Sequence, residues 1–138
     1  MKDTTVKLAR HRLDRAREAF RDAELLLAQG ALISAANRYY YAAFYAARAC
    51  LATEDVDSGR HSGVISLFQQ GFVKTGRMDP TIAKALPRAF EKRQKTDYGD
   101  FATLTDAELQ HIRQEVAAFV AACVALLERM TGGSEVPE

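Results

Sequence analysis

The chain has no tryptophan and only two cysteines, three prolines and eight glycines in 138 residues, and each shortage removes a class of structure. So few turn-forming residues cannot supply the closely spaced turns of a β-sandwich, and a hydrophobic share of 48% is too high for a disordered chain. Cys50 and Cys123 stand in apolar helical stretches, with neither CxxC spacing nor a histidine cluster, and read as buried reduced thiols. HxxxH, HExxH and acidic pairs at ligand spacing are missing, so no metal and no cofactor is expected. No apolar run approaches the roughly 20 residues that cross a bilayer, and the N-terminal residues lead straight into a charged helix. A cytoplasmic protein without membrane contact is expected. A surplus of one charge is lacking too, since 19 basic and 18 acidic residues leave a net charge of +1. A nucleic-acid function would therefore rest on a local patch and not on a global field.

What the sequence does contain is helical periodicity. Val6, Ala9, Leu13, Ala16, Phe20, Ala23 and Leu27 step by threes and fours, the pattern of a bundle seam. Glu18 and Asp22 stand at helical spacing from Arg21 and Arg15, and Gly30 supplies a left-handed stop. A second helix over Leu32 to Ala52 should return antiparallel. Thr53 to Gly59 reads as a loop, and a third helix runs from His61 through Phe72 to a stop at Lys74-Thr75-Gly76. Gly71 and Gly76 flank a Lys-Thr pair, but a phosphate loop needs glycine directly before the lysine after a strand. Asp79-Pro80 starts a fourth helix that Pro87 should bend or interrupt. A Thr105–Glu108 capping box opens the last, with Leu109, Ile112, Val116, Phe119, Cys123, Leu126 and Met130 on one face. The expected class is all-α, an up-and-down bundle of about five helices forming a single domain over 1–138, with its core at about 6–130 and a disordered tail over 131–138.

Asn37 to Arg48 is the stretch that calls for a functional reading. Residues three, four and seven apart share a helix face. Arg38, Tyr41, Tyr45 and Arg48 therefore form one stripe, and Tyr40, Phe44, Ala47 and Leu51 form another. The second is a packing face. The first joins two cations to two phenols, a combination suited to phosphate and to base stacking, and equally the pattern of amphipathic side chains lining a helix seam. The second such stretch is Glu91 to Phe101, where Arg93 and Asp97 share a helix face until Gly99 ends it.

Arg38-Tyr39-Tyr40-Tyr41-Ala42-Ala43-Phe44, then His61 opening Val64-Ile65-Ser66-Leu67-Phe68, then Arg93-Gln94-Lys95-Thr96-Asp97-Tyr98 resembles the HEPN domain (higher eukaryotes and prokaryotes nucleotide-binding), closest to its small stand-alone prokaryotic members. The resemblance covers residues 6 to 130. It implies a helical bundle, usually a homodimer, with a polar cleft, often working beside a small nucleotidyltransferase. In the best understood pairs the HEPN member is a metal-independent ribonuclease toxin, and its nucleotidyltransferase antitoxin can adenylylate a tyrosine near the catalytic motif. Active members carry an arginine followed four to six residues later by a histidine. None of His11, His61 and His111 has an arginine at that distance before it, and Asp97 stands where Arg93 would want a histidine.

Metal-free RNA cleavage needs a base, an acid and a cation for the phosphorane charge. Arg93 can supply the cation, whereas an aspartate near a pKa of about 3.9 shuttles protons poorly at neutral pH. The candidate catalytic residues are Arg93, Asp97 and His61, and the candidate RNA or nucleotide ligands are Arg38, Tyr41, Tyr45, Arg48 and Tyr98. The structural alternative makes Asp97 the ion-pair partner of Arg38 or Arg93 under Tyr98, and His61 a residue that caps or packs at a helix start, where the dipole lowers its pKa. Two functions follow. One is the HEPN component of a toxin–antitoxin-type module with a nucleotidyltransferase, binding RNA or nucleotide more than cutting it. The other is a non-catalytic helical dimerisation module that docks a partner protein.

Overall fold

The computed structural model describes residues 2–99 and 103–132, and of residue 98 the backbone alone. The Tyr98 side chain and the tail beyond Gly132 lie outside the described residues, together with the expectations placed on them. Every described element is helical: α1 (Asp3–Ala28), α2 (Leu32–Ala52), α3 (His61–Phe68) running on as a π-helical turn (Gln69–Val73), α4 (Pro80–Ala83), α5 (Ala85–Tyr98) and α6 (Asp106–Thr131). The chain is an all-α helical bundle.

α1 and α2 form a hairpin about Gly30, whose φ of +76° makes the left-handed turn while Ala31 N–H bonds back to the Leu26 carbonyl at 2.9 Å. Tyr39 of α2 meets Phe20 of α1 edge-on, with ring centroids 5.3 Å apart. The α2 residues on the Tyr39 face are small: Ala35, Ala42, Ala46 and Ala49 are completely buried. Opposite them α1 buries Ala9, Leu13, Ala16, Ala19 and Ala23. Methyl-sized side chains on both helices let the backbones approach closely, so enlarging any of them forces the pair apart.

α2 is the axis of the molecule, touching α1, α3, α5 and α6. Its far side packs on α6 through the expected face, with Leu109, Ile112, Val116, Phe119, Cys123 and Leu126 all buried. The capping box forms as anticipated, Thr105 Oγ1 accepting from Glu108 N–H and Glu108 Oε1 accepting from Thr105 N–H at 3.0 Å. Cys50 and Cys123 are free and buried side by side, and burial together with Cys50 pushes the Cys123 thiol up. A polar tie joins the three long helices. Arg113 of α6 donates to Glu24 of α1 at 2.6 and 3.1 Å, and the Tyr39 hydroxyl donates to the same carboxylate at 2.5 Å.

Pro87 interrupts the fourth helix as expected: α4 stops at Ala83, four residues before Pro87, because the proline ring would clash with that carbonyl, and Pro87 then sits in the first turn of α5, where an N–H would have no partner. Two local expectations need adjusting. The third helix is not uniform, because its last turn widens into the π-helical Gln69–Val73 segment. Arg15 turns away from Asp22 and donates to the Tyr45 hydroxyl at 3.2 Å.

Replacing Glu24 with Ala leaves the buried Tyr39 hydroxyl without its acceptor and should cost about 1–3 kcal/mol. Phe119→Ala, at a fully buried ring, should cost about 3–5 kcal/mol. Urea unfolding at neutral pH measures both, and the order of the two losses checks that the apolar core outweighs the polar tie.

Candidate functional site

The π-rich face of α2 meets the start of α3 and the middle of α5. Tyr41, half-buried, carries two guanidiniums near its ring: Arg38 at 4.8 Å and Arg93 of α5 at 5.4 Å from the centroid. Arg93 also lies 5.5 Å from the Tyr40 centroid. Cations over aromatic faces are attracted by the ring quadrupole, each such contact contributing about 0.5–1 kcal/mol when exposed. The stripe continues from Tyr41 to Tyr45, 5.8 Å away, and there Arg15 of α1 stacks at 4.9 Å.

The charges are only partly balanced. Arg93 Nε lies 3.0 Å from Asp97 Oδ2, yet this ion pair is misaligned for hydrogen bonding and leaves the buried Nε–H without an acceptor among the described residues. Arg38 donates to the neutral amide oxygen of Asn37 at 3.0 and 3.2 Å. Its side chain and Asp97 line one cavity of about 390 Å3 with Ser34 and Asn37. Further along, Arg48 and Arg12 share the single carboxylate of Asp57, at 2.7 and 2.9 Å. Arg48 holds that carboxyl below its ordinary pKa, and burial beside Arg48 lowers the pKa of Arg12. Among the described residues, five arginines therefore face two paired carboxylates on this surface, which is the local patch that a nearly neutral chain needs in order to hold an anion.

His61 sits at the centre. Its ring stacks on Phe44, centroids 4.5 Å apart and planes at 18°, and on Tyr40 at 5.6 Å. The Tyr40 hydroxyl is 2.6 Å from His61 Nδ1. Burial raises the tyrosine pKa despite Arg93, so the phenol stays protonated. Nδ1 is its only hydrogen-bond partner among the described residues. A buried hydroxyl with one partner donates to it, since the reverse tautomer would orphan the O–H. The proton of the neutral imidazole is then on Nε2, making that atom a donor. Burial first, then Arg93 and Arg48, lower the His61 pKa, the direction anticipated from its place at a helix start. The loop before His61 is seated by Gly63, where a Cβ would lie 2.1 Å from Ser58 Oγ.

The HEPN domain family model matches residues 9–128. The chain belongs to the HEPN family. A UPF0332 protein of Thermotoga maritima is 38% identical over 114 residues, covering 83% of this chain and 86% of its own length. A Methanocaldococcus jannaschii protein named "Putative toxin MJ0605" is 30% identical over 105 residues, 76% of this chain and 78% of its own. A second from that organism, "Putative toxin MJ0142", is 31% identical over 78 residues, covering 56% and 53%.

In this HEPN chain Arg38, Tyr41, His61, Arg93 and Asp97 come together, and of the two partners considered for Asp97 it is Arg93 that pairs. Tyr45 extends the same surface. Arg48 is turned aside by Asp57, although its guanidinium still lies 5.8 Å from the Phe44 ring. Sequence reasoning missed Phe44 as the stacking partner of His61, Tyr40 as its hydrogen-bond partner, and the place of Arg12 and Arg15 at this surface. A signal for the arginines existed in the hairpin geometry. Arg15 and Tyr45 each lie 15 residues from Gly30, and Arg12 and Arg48 each lie 18 from it, so an antiparallel pair places them level.

A histidine whose folded pKa is depressed binds fewer protons folded than unfolded, so its contribution to stability is present above the unfolded value of about 6.5 and is lost as pH falls through the folded pKa. His61→Phe keeps the stack and removes this titration. The difference between wild-type and variant unfolding free energies should therefore narrow as pH falls from about 7 to about 5, and a constant difference would contradict the assignment.

Proposed function

We propose that this HEPN chain binds RNA or a nucleotide through the Arg38–Tyr41–Arg93–His61 cluster. In this reading it serves, as a homodimer, as the HEPN component of a toxin–antitoxin-type module with a nucleotidyltransferase partner. The observation that carries the reading is the gathering of two guanidiniums on one tyrosine ring beside a neutral imidazole N–H, with a single carboxylate among them. Guanidiniums and an N–H donor suit a phosphate, and half-buried tyrosine faces suit an unpaired base. The toxin names of two relatives support the cellular role.

Binding is favoured over cleavage for a chemical reason. A general base for the 2′-hydroxyl needs a free nitrogen lone pair, and in the neutral ring Nδ1 accepts from Tyr40 while Nε2 carries the proton. Asp97 is engaged by Arg93. In this role Arg93 and Arg38 neutralise the phosphate, Asp97 orients Arg93, and His61 donates one further hydrogen bond. Tyr45 and Arg15 extend the surface to the neighbouring nucleotide.

Arg93→Ala should weaken binding of a short single-stranded RNA by about tenfold or more, with helical content unchanged and a smaller salt dependence. Fluorescence anisotropy at two salt concentrations measures this, and incubation of wild type with the same RNA in chelator reads cleavage. Affinity unchanged with the fold intact would overturn the role of Arg93 in binding, and loss of the fold would make Arg93 a structural residue. Chelator-resistant cleavage by wild type that disappears in Arg93→Ala would instead establish a nuclease.

A further inference from the structure

A second groove adjoins the cluster on the other side of Phe90. Its floor is Ile65, Pro87 and Phe90, its wall carries Gln69, Gln70 and Lys74, and it encloses about 510 Å3. Phe90 belongs to both places, its ring centroid lying 5.6 Å from Tyr40 and 6.3 Å from His61. The wall is built by the π-helical turn. Lys74 N–H reaches the Gln69 carbonyl at 2.9 Å, Phe72 and Val73 are turned into the core, and Gln69, Gln70 and Lys74 are left exposed. Such widened turns interrupt regular helical bonding and occur often at functional sites.

Among the described residues the polar side chains of this wall have no partners. The side chains of Gln69, Gln70 and Lys74 make no hydrogen bond or ion pair among the described residues. The groove between α5 and α6 is the contrast, because there Lys92 pairs with Glu108, Arg88 with Glu115 and Lys95 with Glu91. One surface satisfies itself and the other presents two amides and a cation over an apolar floor.

We propose that this groove holds the base of a single-stranded RNA nucleotide adjacent to the phosphate at Arg38 and Arg93, with Gln69 and Gln70 reading the base edge and Lys74 taking the next phosphate. This rests on the phosphate-binding reading above. Each amide offers a donor and an acceptor, the requirement for pairing with a base edge. Phe90 and Pro87 supply a flat apolar surface for stacking. Among the described residues the groove has one cation and no carboxylate in its lining, so the same polyanion can pass from the Arg93 cluster into it. Gln69 and Gln70 are thereby specificity-determining residues, whereas Lys74 contributes affinity without sequence preference.

The test measures anisotropy of four labelled homopolymers, A, C, G and U, each about ten nucleotides long, on wild type, Gln69→Ala with Gln70→Ala, Lys74→Ala and Arg93→Ala. Wild type should prefer one homopolymer by about tenfold. The double variant should lose that preference while binding the weaker three, and a competing nucleoside monophosphate, as wild type does. Lys74→Ala should weaken all four alike and lower the salt slope by about one. Gln69, Gln70 and Lys74 are exposed, so circular dichroism of those variants should be unchanged. Equal wild-type affinities, or a preference that survives the double substitution while Arg93→Ala still weakens binding, would overturn the groove reading alone. Absence of RNA and mononucleotide binding by wild type would overturn it together with the phosphate reading.

Discussion

Burial of α2 on nearly all sides is the constraint on which the rest of this molecule depends. Thirteen of its 21 residues are buried, and the other long helices find their places by packing on it. On the α1 side the contact is made by alanines, which fill little volume and bring the backbones close. On the α6 side larger groups such as Phe119 and Leu109 fill the space. A central helix of this kind cannot carry charge inward. Its two arginines therefore emerge at the edge of the buried face, where Arg38 stays beside Tyr41 and Arg48 reaches Asp57.

That edge is where packing and polarity conflict, and the conflict shapes the site. Tyr40 is fully buried with a hydroxyl that must find a partner, and His61 provides it. His61 in turn gives up part of its hydration to stack on Phe44 and Tyr40, close to two guanidiniums that disfavour its cationic form. The result is an imidazole held neutral, with its tautomer set by a tyrosine. Arg93 is held by aromatic faces and by one carboxylate placed a helical turn away, leaving part of its hydrogen-bonding capacity unused.

Most of the fold was legible because it is encoded locally. The α2 limits, the Gly30 turn, the Asp79 cap and the Thr105–Glu108 box follow from spacing and capping chemistry, and all are present. The site was legible in part. Arg38, Tyr41 and Tyr45 share a helix face by spacing alone, and Arg93 with Asp97 likewise. The π-helical turn was not legible, since Gln69-Gln70-Gly71 is compatible with an ordinary helix until Phe72 and Val73 must both reach the core.

By itself the sequence determined the helices, their caps, the seam residues and the family, because each depends on neighbours three or four residues away and on motifs read in order. The tertiary structure alone decided that His61 lies between Phe44 and Tyr40, that Arg93 of α5 shares the ring of Tyr41 with Arg38, and that Asp57 restrains Arg48 and Arg12. Those contacts join positions from 9 residues apart (Arg48 and Asp57) to 52 residues apart (Tyr41 and Arg93), on different elements, so they depend on how far each element is rotated and shifted against α2. No local pattern carries that rotation. It is set by the sum of the side-chain volumes across the whole core.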